Sequence, residues 1–390
     1  MDGAGGCAVI LDLFAGPGGW DQGLAMLGRR DVVGVEWDKA ACDTAIAAGH
    51  ARLWADVAAL PIDAVAAAYG PFAGLIASPP CQAWSMAGKR AGEQDRANCH
   101  HLADRMAEGD DSTDWTAWED ERSPLVCQPV RWVRELRPEW VALEEVPAVA
   151  SLWEHFARIF RGWGYSVWTG DLNAADYGVP QTRIRRILIA RRDGVQAAPP
   201  APTHTAHPHY GADLFGDELK PWVTMAQALG WGFDEEPSAT VSGGGGDAGG
   251  PEPFANQAWR KRLAQYVRMG NQEKSAVRHV TEPAPTVLFG ARSNKVEWFH
   301  ERPATTVVGS FKPEIISPPG YRTDVSRQNA EGGVRVTVAE GGVLQSFPAN
   351  YPWQGSRTKQ YQQVGNAVPP LLAAHILATV LGADVRQEAA

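Results

Sequence analysis

The sequence predicts an α/β fold in which helices cover both faces of a mostly parallel sheet. Short apolar runs alternate with helical stretches through the first 80 residues, and this alternation is typical of parallel strands joined by crossover helices. Polar and glycine-rich residues come directly after the apolar runs. Because open α/β sheets bind ligands at the carboxyl ends of their strands, we expect the functional site at that edge.

The apolar runs define the predicted strands, and the stretches between them define the predicted helices. We predict strands over residues 8–11, 32–35, 75–77 and 140–143. We predict helices from the glycine-rich segment to about residue 27, over 39–48, and from 370 to about 381. Such an arrangement is Rossmann-like.

A smaller β-rich domain is predicted over residues 196–334, between a first domain at 1–195 and its continuation at 335–390. This middle region is richer in Pro, Gly, Thr and Val. Its Pro-led turns run into β-branched residues, a pattern that favours strands. These turns lie at 236–241, 282–287 and 302–308.

The composition indicates a globular protein with a substantial core, since 44% of the 390 residues are hydrophobic and 21% are charged. No apolar run reaches the roughly 18 residues expected of a membrane span, and the N-terminus shows no signal-peptide pattern. Five scattered cysteines form no disulfide pattern. We therefore expect free thiols and a cytoplasmic location.

The net charge of −9 alone would count against a nucleic-acid binder. The charge is uneven, however: residues 91–124 hold ten acidic and three basic side chains, whereas 256–335 hold thirteen basic and seven acidic. A basic face can exist on an acidic protein, because the local field governs binding. We interpret residues 91–124 as a mobile acidic loop or insertion.

A glycine-rich turn at residues 12–19 (Asp-Leu-Phe-Ala-Gly-Pro-Gly-Gly) follows the first predicted strand. Glycines there let the backbone approach a ligand closely, although the spacing matches neither a dinucleotide fingerprint nor a P-loop. Glu36, at the end of the second strand, can accept hydrogen bonds from ribose hydroxyls. Trp37 offers a flat face to an adenine ring. A purely structural turn and a solvated acid stay open as alternatives.

Cys81 stands at the end of the third predicted strand, in Ser78-Pro79-Pro80-Cys81-Gln82. Most single cysteines in such proteins are inert core residues. This one follows two stiffening prolines at the edge where ligands bind, which favours a nucleophile.

Two further groups of polar residues follow strands. Glu144 ends the fourth predicted strand, where a carboxylic acid with a raised pKa can donate a proton to a ring nitrogen; a surface acid pair is the alternative. Gln181, Arg183 and Arg185 alternate along a predicted strand and share one face. They suit contact with phosphate, and a solvated strand face is the alternative.

The order of these motifs resembles the DNA cytosine-5 methyltransferase family. The resemblance rests on residues 12–19, Pro-Pro-Cys-Gln at 79–82, Glu-x-Val-Pro at 144–147, Gln-x-Arg-x-Arg at 181–185 and Val-Gly-Asn-Ala-Val-Pro-Pro at 364–370. Residues 335–348 resemble a further block of the family, one that helps organise its recognition domain. The motifs span nearly the whole chain, and their shared order makes the resemblance specific.

The resemblance implies a site for S-adenosylmethionine, with S-adenosylhomocysteine as product, and a site for a flipped cytosine. It implies that Glu36 holds the ribose, that Trp37 stacks on the adenine, and that Asp56 accepts a hydrogen bond from the adenine amino group. The implied cofactor residues are Phe14, Ala15, Gly16, Gly18, Gly19, Glu36, Trp37, Asp56, Val57, Pro80, Asn366, Ala367 and Val368. The implied catalytic residues are Cys81, Glu144, Arg183 and Arg185, and the implied DNA contacts are Gln82, Ser85, Gln181 and Arg183.

The resemblance further implies methyl transfer to C5 of cytosine in a specific double-stranded DNA sequence, through a covalent bond between Cys81 and C6. Residues 196–334 would recognise the target. We expect a monomer and no metal. A companion restriction endonuclease and a solitary or phage-borne enzyme both stay open. One departure is Glu145, which stands where the family usually has Asn.

Two other functions stay open. One is an RNA (transfer-RNA) cytosine-5 methyltransferase, against which the recognition region of roughly 140 residues argues. The other is a catalytically silent DNA-binding relative, against which the intact set of Cys81, Glu144, Arg183 and Arg185 argues.

Overall fold

The structure, a computed structural model, describes residues 9–84, 91–206, 219–229 and 337–385, together with the backbone of five short strands between 266 and 335. Two predicted turn-and-strand segments, at 236–241 and 302–308, lie outside the described residues, as does Ser85.

A seven-stranded sheet forms the centre of the fold. Its strands run in the order β3-β2-β1-β4-β5-β8-β6. The first five are parallel, and β8 is antiparallel to both β5 and β6. The strands up to residue 191 are β1 (Val9–Leu13), β2 (Val32–Glu36), β3 (Ala51–Trp54), β4 (Phe72–Ala77), β5 (Trp140–Glu145), β6 (Ser166–Asn173), β7 (Gln181–Thr182, outside this sheet) and β8 (Ile184–Arg191).

Helices cover both faces of this sheet, as the alternating sequence pattern predicted. The helices among the described residues are α1 (Gly19–Met26), α2 (Lys39–Ala47), α3 (Ile62–Tyr69), α4 (Ala91–Glu108), α5 (Gln128–Leu136), α6 (Ala150–Gly162), α7 (Met225–Leu229), α8 (Val338–Leu344), α9 (Arg357–Asn366) and α10 (Pro370–Leu381). Residues of α3, α4, α5 and α6 pack on one face of the sheet, and residues of α1 and α10 pack on the other. The predicted mostly parallel α/β sheet is therefore confirmed.

The central strands are buried on both sides, because alternate residues pack into two different apolar layers. Leu11 and Leu75 face the layer that contains residues of α3, α4, α5 and α6. Ile10 and Ile76 face the layer that contains residues of α1 and α10. Strands buried on both faces read as continuous apolar runs, which is why the sequence identified them.

The interpretation of residues 91–124 as a mobile loop is wrong for most of the segment. Residues 91–108 form α4, an 18-residue helix. Its apolar residues Cys99, Leu102, Ala103 and Met106 recur every three or four positions and are buried in the core. Acidic side chains lie between these apolar residues and dominate the composition of the segment. The helical spacing of the apolar residues was therefore not recognised from the sequence.

The chain beyond α4 is fixed by hydrogen bonds from the same helix. The buried carboxylate of Asp95 accepts the backbone N–H groups of Glu119 (3.0 Å) and Asp120 (3.1 Å). Arg134 of α5 pairs with Asp111 at 2.9 Å. Much of the acidic charge therefore serves to hold residues 109–122 against the fold.

The helical stretch Arg357–Leu381 is long and apolar enough to be compared with a membrane span. It consists of α9 and α10, and 61% of its most apolar window is buried inside the protein. Leu372, Ile376 and Leu377 pack in the layer beside α1. Its apolar character is that of a core helix.

Part of the predicted β-rich region is described as backbone. An antiparallel sheet with the order β12-β11-β14-β15 is formed by β11 (Tyr266–Met269), β12 (Val277–His279), β14 (Lys295–Phe299) and β15 (Gly333–Arg335). Two short pairs accompany it: β9 (His204–Thr205) with β10 (Lys220–Pro221), and β13 (Ala284–Pro285) with β7. Strands thus occur where the composition favoured them, and the domain boundaries stay a prediction.

Candidate active site

A cavity of about 720 Å³ opens at the carboxyl ends of β1, β2, β4 and β5. This is the edge at which open parallel sheets bind ligands. Most residues singled out by their sequence motifs meet in its wall. These are Phe14, Ala15, Gly16, Gly19, Glu36, Trp37, Asp56, Val57, Pro80, Cys81, Gln82, Glu144, Arg183, Arg185, Asn366, Ala367 and Val368.

The glycine-rich turn faces this cavity with bare backbone. Gly16 has φ +55°, and a Cβ built on it meets no heavy atom within 4 Å, so that side of the residue is open. Gly18 has φ +112°, but a Cβ there would lie 2.7 Å from the hydroxyl of Tyr351. Gly18 therefore lies behind the wall and packs against the protein, a difference from its predicted ligand contact.

Glu36 is anchored by the turn that it faces. The Gly16 N–H donates to one carboxylate oxygen at 2.9 Å, and the N–H groups of Trp37 and Asp38 donate to the other at 2.8 and 2.7 Å. Burial raises the pKa of Glu36, and these backbone donors oppose the rise. The carboxylate is thereby held in one orientation at the cavity wall.

Trp37 and Asp56 complete this end of the cavity. Trp37 is 75% exposed although its side chain is large and apolar, and its carbonyl accepts the indole N–H of Trp54 at 2.8 Å. Asp56 accepts the Ala58 N–H at 2.9 Å. An exposed flat ring beside two carboxylates is suited to a nucleoside.

The C-terminal segment closes the cavity against the glycine turn. A Cβ on Gly19 would lie only 2.1 Å from the carbonyl oxygen of Val368. Glycine is therefore required for this contact between residues almost 350 positions apart. The contact explains how Asn366, Ala367 and Val368 reach the wall.

These features fit the S-adenosylmethionine that the resemblance implies. The open backbone at Gly16, the oriented Glu36 carboxylate and the exposed face of Trp37 lie together in the cavity wall, because the Gly16 N–H donates to Glu36 and Trp37 follows Glu36 in the chain. They could hold the amino-acid part, the ribose and the adenine, respectively. Cys81 and Glu144 line the same cavity.

Cys81 begins a short 3-10 turn, Cys81–Ala83, directly after Pro80. The residue is partly accessible, yet burial of the thiol raises its pKa to about 12. Glu145 and Glu144 add to the rise, whereas Arg185 and Arg183 oppose it. The arginines are therefore the groups that favour a thiolate here.

Glu144 forms a buried ion pair with Arg185, whose Nε lies 2.9 Å from the Glu144 carboxylate. Antiparallel pairing of β5 with β8 brings the two side chains together. The pair fixes the direction of the carboxyl group while both residues still line the cavity.

Arg183 is a fully buried cation between β7 and β8. Its Nη1 donates to the carbonyl of Gly365 at 3.0 Å, which connects it to the C-terminal segment. Burial and the neighbouring Arg185 lower its pKa to about 9. The predicted single strand over 181–186 is thus interrupted at Arg183.

Gln181 does not have the exposure expected of a DNA contact. It is completely buried, and its side-chain nitrogen lies 3.5 Å from the carbonyl of Leu344 in α8. Gln181, Arg183 and Arg185 are all buried, as their alternation along the strand predicts, but of the three only the two arginines line the cavity. Its placement is that of a packing residue.

The acidic segment contributes residues that the sequence motifs did not reveal. Trp115, Glu121 and Arg122 line the cavity, and so do Leu125, directly after the segment, and Lys359 and Gln363 of α9. Arg122 and Cys81 are thus in the wall of the same cavity. No motif marked Trp115, Glu121 or Arg122, because their approach depends on how residues 109–122 fold back.

The model of the family "C-5 cytosine-specific DNA methylase" matches residues 8–103 and 113–381. The chain therefore belongs to this family and is a DNA cytosine-5 methyltransferase.

Individual relatives agree with that assignment. The chain is 27% identical over 387 residues to Type II methyltransferase M1.HphI of Haemophilus parahaemolyticus, covering 96% of this chain and 86% of that protein. It is 25% identical over 409 residues to Type II methyltransferase M.DdeI of Desulfomicrobium norvegicum, covering 93% and 86%. The solved structure of a Spodoptera frugiperda DNMT2 mutant shares its fold, with a TM-score of 0.55, 14% identity and coverage of 96% and 100%.

Proposed function

We propose that this protein transfers a methyl group from S-adenosylmethionine to C5 of a cytosine flipped out of a specific double-stranded DNA sequence. The observation that carries the proposal is the single cavity. Its wall contains Gly16, Glu36 and Trp37, a group suited to a nucleoside cofactor. The same wall contains Cys81, Glu144 and Arg185, a group suited to a pyrimidine. Flipping is needed because the target atom is inaccessible within the stacked duplex.

Cys81 acts as the nucleophile. Its thiolate forms a bond from Sγ to C6 of the cytosine, and the electron pair of the C5–C6 double bond makes C5 nucleophilic. S-adenosylmethionine supplies an electrophilic methyl group when it is bound. C5 takes up that methyl group, which leaves S-adenosylhomocysteine. Transfer of the C5 proton to water and cleavage of the Sγ–C6 bond then restore the aromatic base and the Cys81 thiolate.

Glu144 supports that addition from the other side of the ring. Its carboxyl group would hydrogen-bond N3 and offset the charge that develops there. Arg185 holds the carboxyl group in place through the 2.9 Å ion pair. Arg183 adds positive charge beside Cys81 and links the site to Gly365.

Target recognition is assigned to residues 196–334, with Gln82 and Ser85 as further DNA contacts beside the nucleophile. The names of the Type II relatives support a place in a restriction-modification system, with a companion endonuclease, in the cytoplasm. We expect the enzyme to act as a monomer on DNA.

The proposal is tested by incubating the protein with labelled S-adenosylmethionine and either mixed-sequence duplex DNA or transfer RNA. We expect label in DNA alone, at C5 of cytosine within one short sequence. Label in RNA alone would favour the RNA enzyme. DNA binding without label in either, on DNA that includes all short sites, would favour the silent relative.

A further inference from the structure

Glu145 is a buried carboxyl group that the methyl-transfer scheme above leaves unused. It follows Glu144 on β5 and is only 1% exposed. Because side chains alternate along a strand, the two carboxyl groups leave β5 on opposite faces. Glu145 shares the face of Val141 and Leu143, which pack in the layer containing α3, α4, α5 and α6.

The two carboxyl groups have different partners. Glu144 is paired with Arg185 at 2.9 Å. One oxygen of Glu145 accepts the backbone N–H of Val146, and the other is buried without a hydrogen-bond partner among the described residues. A buried carboxylate normally requires a cation or several donors, so this environment suits the protonated acid.

The cation opposite Glu145 is engaged elsewhere. Arg186 stands across from it in the β5–β8 register. Its guanidinium lies 3.0 Å from Glu154 and 3.4 Å from Asp171, on α6 and β6. On α4, Arg96 reaches the carbonyl of Ala148 at 2.8 Å and pairs with Glu93. Burial raises the pKa of Glu145 well above its ordinary value, and the charge of Glu144 adds to the rise. The hydrogen bond from Val146 and the charge of Arg185 oppose this rise without reversing it.

Glu145 and Cys81 stand at the same edge of the sheet, because β4 and β5 are parallel neighbours paired at Ala77 and Leu143, Glu145 ends β5, and Cys81 follows β4. Glu145 is the foremost charged group raising the pKa of that thiol, ahead of Glu144, while Arg185 and Arg183 lower it. With Glu145 uncharged, two arginines face one carboxylate around Cys81, and the net field favours the thiolate. An ionised Glu145 would add a second carboxylate and cancel the excess of positive charge around Cys81.

We propose that Glu145 is an uncharged carboxylic acid of the active site, whose neutrality keeps the field around Cys81 positive. The proposal rests on the proposed function of Cys81 as the nucleophile. Glu145 acts through Cys81 and does not itself contact the base. On this account its position tolerates Gln or Asn, both neutral, but not a charge.

The state of the proton can be measured on the full chain without substrate. We expect the infrared difference spectrum of wild type against Glu145→Gln at neutral pH to contain the band of a protonated carboxyl group. Carboxylate bands in that difference would overturn the proposal. Because this experiment involves no DNA or cofactor, its outcome is independent of whether the proposed methyl transfer is correct.

The effect on the thiol is measured by the rate at which iodoacetamide alkylates Cys81, followed on the Cys81 peptide by mass spectrometry from pH 6 to pH 10. At pH 7 we expect Glu145→Gln to match wild type within about twofold, because neither side chain is charged. Glu144→Gln removes a real charge and should be alkylated several-fold faster. Divergence of Glu145→Gln from wild type is expected only at alkaline pH, where Glu145 ionises.

A second neutral variant, Glu145→Asn, keeps the test valid if Glu145→Gln misfolds. It should be alkylated at the same rate as Glu145→Gln. Arg183 titrates in the alkaline range in every variant, so only the difference between variants reports on Glu145. Acceleration at pH 7 in both neutral variants, as large as that of Glu144→Gln, would show that Glu145 is ionised in the native protein and would overturn the proposal.

Discussion

Gly19 and Val368 meet so closely that a Cβ on Gly19 would lie 2.1 Å from the Val368 carbonyl oxygen. The first helix thereby packs against the start of the last one, and the C-terminal residues reach a cavity built mainly by the N-terminal half. Backbone atoms at such a contact cannot yield as a flexible side chain would. The contact shows how residues near the C-terminus complete the cavity wall.

We expect Gly19→Ala to disrupt this contact. The free energy of unfolding should fall by at least the ~1–3 kcal/mol that is typical of overpacking. S-adenosylmethionine binding should weaken with it, because Val368 lines the cavity. Urea unfolding and calorimetric titration measure the two effects.

Gly162→Ala is the matched control for that variant. A Cβ on Gly162, in α6, meets no heavy atom within 4 Å, so stability should stay within about 1 kcal/mol of wild type. Equal stability of Gly19→Ala and Gly162→Ala would refute the proposed role of the contact.

Glu144→Ala should destabilise the protein by about 3–5 kcal/mol, because it leaves the buried Arg185 without its partner. Lys39 and Asp43 form an exposed pair at 2.8 Å, with side chains 62% and 44% exposed. Asp43→Ala should therefore cost only about 0–1 kcal/mol. The denaturant midpoints of Glu144→Ala and Asp43→Ala measure the two losses in the free energy of unfolding. Losses of equal size would contradict a buried, structurally coupled Glu144–Arg185 pair.

Trp37→Ala should weaken S-adenosylmethionine binding roughly two- to tenfold, since aromatic stacking is worth about 0.5–1.5 kcal/mol beyond area burial. Folding should be unaffected, because the side chain is mostly exposed. Calorimetric titration checks the affinity, with Tyr69→Ala, a partly exposed aromatic outside the cavity wall, as control. An unchanged affinity of Trp37→Ala for S-adenosylmethionine would show that Trp37 does not stack on the adenine.

The stability of the protein should depend on pH through Asp12. This residue is fully buried, neither carboxyl oxygen has a partner among the described residues, and its pKa is raised well above 3.8, chiefly by burial. The folded state therefore retains a proton that the unfolded chain releases. Stability from this group is present below about pH 4 and falls as the pH rises toward the folded pKa.

Asp12→Asn removes that titration. We expect its melting temperature relative to wild type to rise from pH 4 to pH 8. Differential scanning calorimetry at both pH values measures the change. A difference that is constant or falls with pH would show that the folded pKa of Asp12 is not raised.

The sequence predicted those parts of the site that depend on local pattern. Continuous apolar runs marked the strands, and the motifs after them placed Glu36, Cys81 and Glu144 at one edge, as the cavity wall confirms. Strand alternation placed Gln181 with Arg183 and Arg185. It could not say whether their common side faces solvent or the core, and Gln181 proved to be buried.

The remaining features depend on contacts between distant segments. The apolar period of α4 was present at Cys99, Leu102, Ala103 and Met106, but acidic residues between them obscured it. Trp115 and Arg122 reach the cavity only because Asp95 and Arg134 hold their segment in place. Pairings of that kind leave no local pattern in a single sequence.

Covalent trapping tests the central claim most directly. The protein is incubated with S-adenosylmethionine and mixed-sequence duplex DNA containing 5-fluorocytosine, from which C5 cannot lose a proton after methyl transfer. We expect a stable adduct whose DNA is attached to the Cys81 peptide, and none with Cys81→Ala. An adduct that survives in Cys81→Ala, or methylated DNA formed by that variant, would contradict the assignment of Cys81 as the nucleophile.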